Sequence, residues 1–160
     1  MDNVYDNQRE ANLAYLAGIM DGEGCFTIKH NKTTDVYFTS VSVGMTELPA
    51  IHLMVEMFGG KVREDSSGIR SRTMYRWESS GATKNKEVLE SLLPYLRVKK
   101  DQAYTLLQCL STIRSTGGKV PTSYETKQLR KELYFRVKEL KAAAPATTNR
   151  IDTREGEVIV

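Results

Sequence analysis

The segment Glu10 to Met20, EANLAYLAGIM, is apolar around most of its circumference and runs straight into an acid-and-glycine turn, Asp21-Gly22-Glu23-Gly24. Leu13, Leu16, Ala17 and Met20 recur at helical spacing, and a helix with no polar face has to be covered on nearly every side. Gly22 is its stop signal. Small Ala17 and Gly18 allow a second helix to approach closely, with Leu13, Leu16 and Met20 filling the seam. The turn is chemically odd. Carboxylates at a helix C-terminus face the negative end of its dipole at a cost of about 0.3–1 kcal/mol, so two of them together require a cation or a cap. A generic DGEG string is most simply a helix end with two solvated acids. The sharper alternative makes the Glu23 carboxylate and the Gly22 carbonyl hard oxygen ligands for Mg²⁺.

Downstream the period changes. Cys25 to Asn31 alternates, Tyr37 to Val43 alternates again, and polar Lys32 to Asp35 lies between, which predicts two antiparallel strands. Thr46 is placed to cap a helix running to Phe58, with Pro49 in its first turn and Gly59-Gly60 at its end. Lys61 to Glu64 and Ile69 to Ser79 form a second hairpin. Helices follow at about Lys86 to Leu96 and Lys100 to Ile113, and Pro121-Thr122 with Glu125 forms a capping box that opens a fifth. The leucine-rich Tyr104, Leu106, Leu107 and Leu110 stretch is core packing. A chain of 160 residues, 40% apolar, fits one cooperative core. We therefore expect an α+β domain over residues 1–143 and a flexible tail over 144–160, where small and polar residues replace the periodic pattern.

The string Leu16-Ala17-Gly18-Ile19-Met20-Asp21-Gly22-Glu23-Gly24 resembles the signature of the LAGLIDADG homing endonucleases and their maturase relatives. Tyr15 before it, the CFTI strand after it and the later run Tyr95 to Ala103 are similar as well, so the resemblance covers roughly residues 10 to 110. It implies an αββαββα saddle with an antiparallel four-stranded sheet and extra C-terminal helices. The implied activity is Mg²⁺-dependent hydrolysis of both strands of a long pseudo-palindromic DNA site, leaving short 3′ overhangs, as in intron homing; Mn²⁺ should substitute. Glu23 and Lys99 map to the catalytic positions, with Glu23 and Gly22 holding metal. Family members commonly carry Asp where this chain has Glu23. A polar residue, often Gln, usual at the end of the second strand has no clear counterpart among Gly44, Met45, Thr46 and Glu47. One motif per chain and two strands to cut imply a symmetric homodimer joined through Leu13, Leu16, Ala17 and Met20.

Alternation then sorts the strands. Phe26, Ile28, Val41, Val43, Tyr75 and Trp77 should face the core. Thr27, Lys29, Asn31, Ser40, Ser42, Arg63, Arg70, Arg72 and Arg76 are left as candidate contacts to DNA, since two-stranded ribbons fit the major groove. A solvated hairpin face is the simpler account of the same residues. Arg97-Val98-Lys99-Lys100 sets three cations at a helix start, against its dipole, which favours a phosphate partner and adds Lys100 to the DNA contacts.

Other chemistries find less support. Cys25 and Cys109 have no ligand spacing, and His30 and His52 are too few for a zinc or HNH-type site, so the histidines are structural. Gly-Gly-Lys-Val at 59–62 and 117–120 lacks the Ser or Thr of a phosphate loop. Glu125-Thr126-Lys127 has a nuclease-like E-x-K spacing but follows a helix cap. No apolar run approaches the roughly 20 residues of a membrane span, and no signal peptide opens the chain, so a soluble intracellular protein is expected. Two rivals stay open: a weak or inactive relative acting as an RNA-splicing maturase or DNA-binding regulator, and a scaffold for protein association. RNA would use the basic surface of the last helix, with Lys127, Arg130, Lys131 and Lys138.

Overall fold

The computed structural model describes residues 3–65, 72–113 and 121–143. Along the chain run α1 (Asn3–Gly22), β1 (Gly24–Asn31), β2 (Val36–Met45), α2 (Leu48–Phe58), β3 (Lys61–Asp65), β4 (Met74–Glu78), α3 (Gly81–Leu92), α4 (Lys100–Ser111) and α5 (Tyr124–Ala143). The four strands form one antiparallel sheet in the order β1-β2-β4-β3. This is the α+β arrangement the periodicities predict.

Register fixes the two faces of the sheet. Phe26 lies opposite Val41, Ile28 opposite Thr39 and Val43 opposite Trp77. These side chains point at the helices; Thr39 accepts from Asn85 of α3, and the others, with Leu16 and Met20 of α1, Val88 and Leu92 of α3 and Leu106 of α4, form one buried core. Thr27, Lys29, Ser40, Ser42, Arg63 and Arg76 have the opposite parity and share the outer face. Tyr75 has core parity but is only half-buried. Gly60 is required where β3 begins: its φ is +96°, and a Cβ there would lie 2.6 Å from Trp77 Nε1. That indole donates to the Gly59 carbonyl at 2.7 Å, tying the end of α2 to β4.

Several boundaries move, each for a local reason. α1 starts two turns before Glu10, in a polar stretch without apolar period, where Gln8 Nε2 donates to Asn12 Oδ1 at 3.0 Å. Thr46 does not cap α2; the cap position is Glu47, and the Thr46 hydroxyl donates to the Glu47 carboxylate at 2.6 Å. α3 begins at Gly81 and stops at Leu92, because Pro94 has no N–H to donate to the helix expected to continue to Leu96. Ser123 rather than Thr122 caps α5: its Oγ accepts from the Thr126 N–H at 3.2 Å, and Glu125 takes no part. Arg70, the tip of the second hairpin, the second Gly-Gly-Lys-Val and the tail 144–160 lie outside the described residues.

Candidate active site and nucleic-acid face

The motif turn is held by two side chains that pass each other. The Asp21 carboxylate accepts from the backbone N–H groups of Arg97 (2.8 Å), Val98 (3.1 Å) and Lys99 (2.9 Å). It thereby caps the start of α4 with an anion, while the exposed Arg97 and Lys100 side chains make no ion pair with it. In return Lys99 Nζ donates to the carbonyls of Met20 (3.1 Å), Gly22 (3.3 Å) and Gly24 (2.7 Å), so the carbonyl end of α1 receives a cation. Burial pushes the Lys99 ammonium pKa below its ordinary value, while the charges of Asp21, Cys25 and Glu23 work against that fall. Gly24 is needed for packing: a Cβ there would lie 2.6 Å from the Met20 carbonyl oxygen, so only glycine lets β1 leave this close to α1.

Glu23 is different. Its backbone N–H still donates to the Ile19 carbonyl at 2.8 Å, yet its side chain is exposed and meets no hydrogen-bond partner among the described residues. Of the two acids in the turn, one is structural and one is available. Among the described residues no three His, Cys, Asp or Glu side chains cluster to hold a metal. A Mg²⁺ site drawing one carboxylate from the protein and its other oxygens from a carbonyl, water and phosphate still matches this donor set, since Mg²⁺ commonly keeps several waters and binds through one or two carboxylates. The Gly22 carbonyl is already engaged by Lys99, but its second lone pair is available.

The seam expected on Leu13, Leu16, Ala17 and Met20 is corrected. All four are buried at 4% exposure or less in this chain's own core. Large residues at helical spacing serve the intramolecular core, where volume is needed. The outward face of α1 carries Ala11, Ala14, Tyr15 and Gly18 instead, and a Cβ on Gly18 would meet nothing within 4 Å.

On the outer face of the sheet three cations, Lys29, Arg63 and Arg76, are already paired. Glu78 accepts from Ser40 Oγ at 3.1 Å, lies 3.6 Å from Lys29 Nζ and accepts from Arg63 at 3.2 Å. Arg76 donates to Asp65 at 2.9 Å. Asn31 Oδ1 accepts from the Thr33 and Thr34 N–H groups and so shapes the β1–β2 turn. Ser40 and Ser42 are buried, Thr27 is half-buried, and Arg72 and Lys100 are exposed.

No family model matches the chain. DNA endonuclease I-CvuI of Chlorella vulgaris aligns at 29% identity over 112 residues, 65% of this chain and 66% of that protein, just under two thirds of its length. The crystal structure of homing endonuclease I-CvuI with its target in the presence of 2 mM Ca superposes with a TM-score of 0.67 at 26% identity, over 83% of each chain. With the I-CreI target and 2 mM Mg, where the DNA is not cleaved, the TM-score is 0.70. The chain is homologous to a homing endonuclease. An archaeal intron-encoded homing endonuclease, I-Vdi141I complexed with DNA, shares the fold at a TM-score of 0.66 and 16% identity, over 81% of this chain and 84% of that one.

In this homing-endonuclease homologue, sequence reasoning missed two residues. Glu78 occupies the outer parity of β4, and alternation places it there, but its role emerges only from pairing across β2 and β3. Lys141, in the last turn of α5, crosses the β1 edge to donate to Thr27 Oγ1 at 3.0 Å and Cys25 Sγ at 3.4 Å. No sequence signal announces that reach. Arg130, expected on a basic outer surface, is instead committed to the end of α4, donating to Thr112 Oγ1 at 2.7 Å and the Thr112 carbonyl at 2.8 Å. His30 is structural as expected, stacked on Tyr37 at 4.2 Å and bonded to Asp35 at 2.9 Å.

Glu78 supplies a prediction. Glu78→Gln releases Lys29 and Arg63 and removes a negative charge, so duplex DNA of any sequence should bind tighter. The salt dependence should steepen by about one to two released ions in log K against log salt. Equal slopes for both proteins in a salt titration would show that these cations do not meet phosphate.

Proposed function

We propose that the chain is a site-specific homing endonuclease of the single-motif LAGLIDADG type, hydrolysing both strands of a long pseudo-palindromic duplex as a Mg²⁺-dependent homodimer and leaving short 3′ overhangs. The observation that carries this is Glu23: it is the one carboxylate left exposed and unengaged at a turn where Asp21, Lys99 and the helix-end carbonyls are all tied to one another. The homology to I-CvuI supports the same activity. Bound between Glu23 and the Gly22 carbonyl, Mg²⁺ would supply an activated water and neutralise charge on the scissile phosphate. Glu23 binds through its carboxylate, and Asp21 fixes the backbone that carries Lys99. Lys99, half-buried and cationic, orients the turn and offers its charge to the phosphate. Thr27, Lys29, Arg63 and Arg76, which share the outer face of the sheet, would meet the duplex there, and the exposed Arg72 and Lys100 would add contacts to its backbone.

In the dimer, Ala11, Ala14, Tyr15 and Gly18 of each copy would meet at the twofold axis, which brings the two Glu23 side chains together over opposite strands. Gly18→Glu would set like charges at the axis, and its Cβ would meet nothing within 4 Å in its own chain. It should shift sedimentation from dimer to monomer and abolish double-strand cleavage with thermal stability preserved. A dimer unchanged by Gly18→Glu would place the interface elsewhere.

The activity is tested by cleavage selection from a library of partly randomised palindromes, with Mg²⁺ and with chelator. Mg²⁺-dependent cuts within one symmetric motif are expected. Tight, salt-sensitive retention of one motif without any cut would favour the binding-only regulator or maturase.

A further inference from the structure

We propose a second nucleic-acid site, for unpaired nucleotides, in the cleft between the tip of the β1–β2 hairpin and the outer face of α5. The cleft has a volume of 590 Å³, the size range of pockets that take small ligands, about 300–1,000 Å³. Residues of α5 line it at helical spacing, Tyr124, Gln128, Lys131, Phe135 and Lys138, with Lys127 and Tyr134 beside them. At 1.5 Å per residue this stripe runs about 21 Å along the helix. The core-facing side of the same helix is separate and carries Leu133 and Val137, both buried. The stripe is therefore not the apolar face that packing needs.

Its composition selects the ligand. Tyr124 is 72% exposed and Phe135 49% exposed, so both offer ring surface to a partner. Behind them Tyr134 lies 5.2 Å from Phe135 and 5.6 Å from Tyr37, which itself stacks on His30, so the floor of the cleft is a rigid aromatic block. Lys138 Nζ sits 4.3 Å over the Tyr134 ring. Lys127 lies 3.8 Å from Asp35, which is also bonded to His30 and feels the charge of Lys131 from further off. Lys131 and Lys138 have no ion-pair partner among the described residues. Interspersed ring faces and cations suit a strand whose bases are unstacked, with rings taking bases and ammonium groups taking phosphates. Duplex DNA hides its base faces inside the stack, so exposed rings have nothing to gain from it. The hairpin residues His30 and Tyr37 have the parity of the helix-packed face of the sheet, so the floor of the cleft faces away from the duplex side, and only its Lys138 end borders the outer-face residues Lys29 and Phe38 at the β1 edge; the site does not rest on the cleavage activity.

The test is fluorescence anisotropy with labelled 12-nucleotide oligouridylate and oligothymidylate, on the full chain and on the double variant Tyr124→Ala/Phe135→Ala and the variant Lys131→Gln. We expect both oligonucleotides, or the RNA preferentially, to bind, with affinity lowered at least tenfold in the double variant and more weakly in Lys131→Gln, base stacking on one ring being worth roughly 1–3 kcal/mol. All three side chains are exposed, so melting curves and duplex binding should be unchanged, and excess unlabelled duplex should not displace the strand. Absence of binding to either oligonucleotide at physiological salt would overturn the proposal. So would binding that survives the double variant, or that duplex displaces one for one, since the strand would then lie on the outer face of the sheet.

Discussion

Glu23→Gln is expected to slow cleavage at least about a thousandfold, a loss of roughly 4 kcal/mol of transition-state stabilisation, while duplex affinity holds or rises slightly. The carboxamide has nearly the same shape, but it lacks the charge that would hold Mg²⁺. An exposed side chain without a hydrogen-bond partner among the described residues contributes little to the fold, so the melting temperature should stay within the small range typical of surface substitutions. Glu23→Asp keeps the charge and shortens the reach by one methylene, and cleavage should persist at a measurable rate. Single-turnover cleavage in Mg²⁺ beside anisotropy on the uncut duplex separates the two effects. If Glu23→Gln cut as fast as the parent protein, the metal assignment would be wrong, since the other acid of the turn, Asp21, is committed to three backbone N–H groups.

The sheet was legible because period-two alternation has only two outcomes, and burial of one face selects between them. Phe26, Ile28, Val41, Val43 and Trp77 all lie on the core side as their spacing predicts. α1 was less legible for the same physical reason that made it conspicuous. A helix apolar on nearly every side does not say which side meets its own chain, and the bulky positions first assigned to a partner are taken by the intramolecular core. The basic run at Arg97 to Lys100 misled in another way. The backbone N–H groups of this run are capped by Asp21, 78 positions away from Lys99, and no local pattern reports an anion that the fold delivers from so far. Glu78 was hidden likewise: the strand alternation gives its face, while its three partners come from β1, β2 and β3.

Asp21→Ala should be the most damaging single change at the turn, because one carboxylate serves as the cap of α4 and as the strap between α4 and α1. Losing a capping side chain alone costs about 0.5–2 kcal/mol. Three backbone donors losing a charged acceptor raises this to roughly 2–3 kcal/mol, half-exposure letting water recover part of the loss. For a chain of this length that corresponds to a melting temperature lower by about 4–12 °C. Catalysis should fall further than stability explains. The N–H of Lys99 is one of the three donors, so freeing it loosens the residue whose ammonium spans the Met20, Gly22 and Gly24 carbonyls, and the turn that presents Glu23 loosens with it. Asp21→Asn keeps one oxygen and a neutral cap, and should recover part of the stability but less of the rate. Rates measured well below each variant's melting temperature distinguish the cases: a wild-type rate in folded Asp21→Ala would mean that Lys99 and Glu23 hold their positions without the strap.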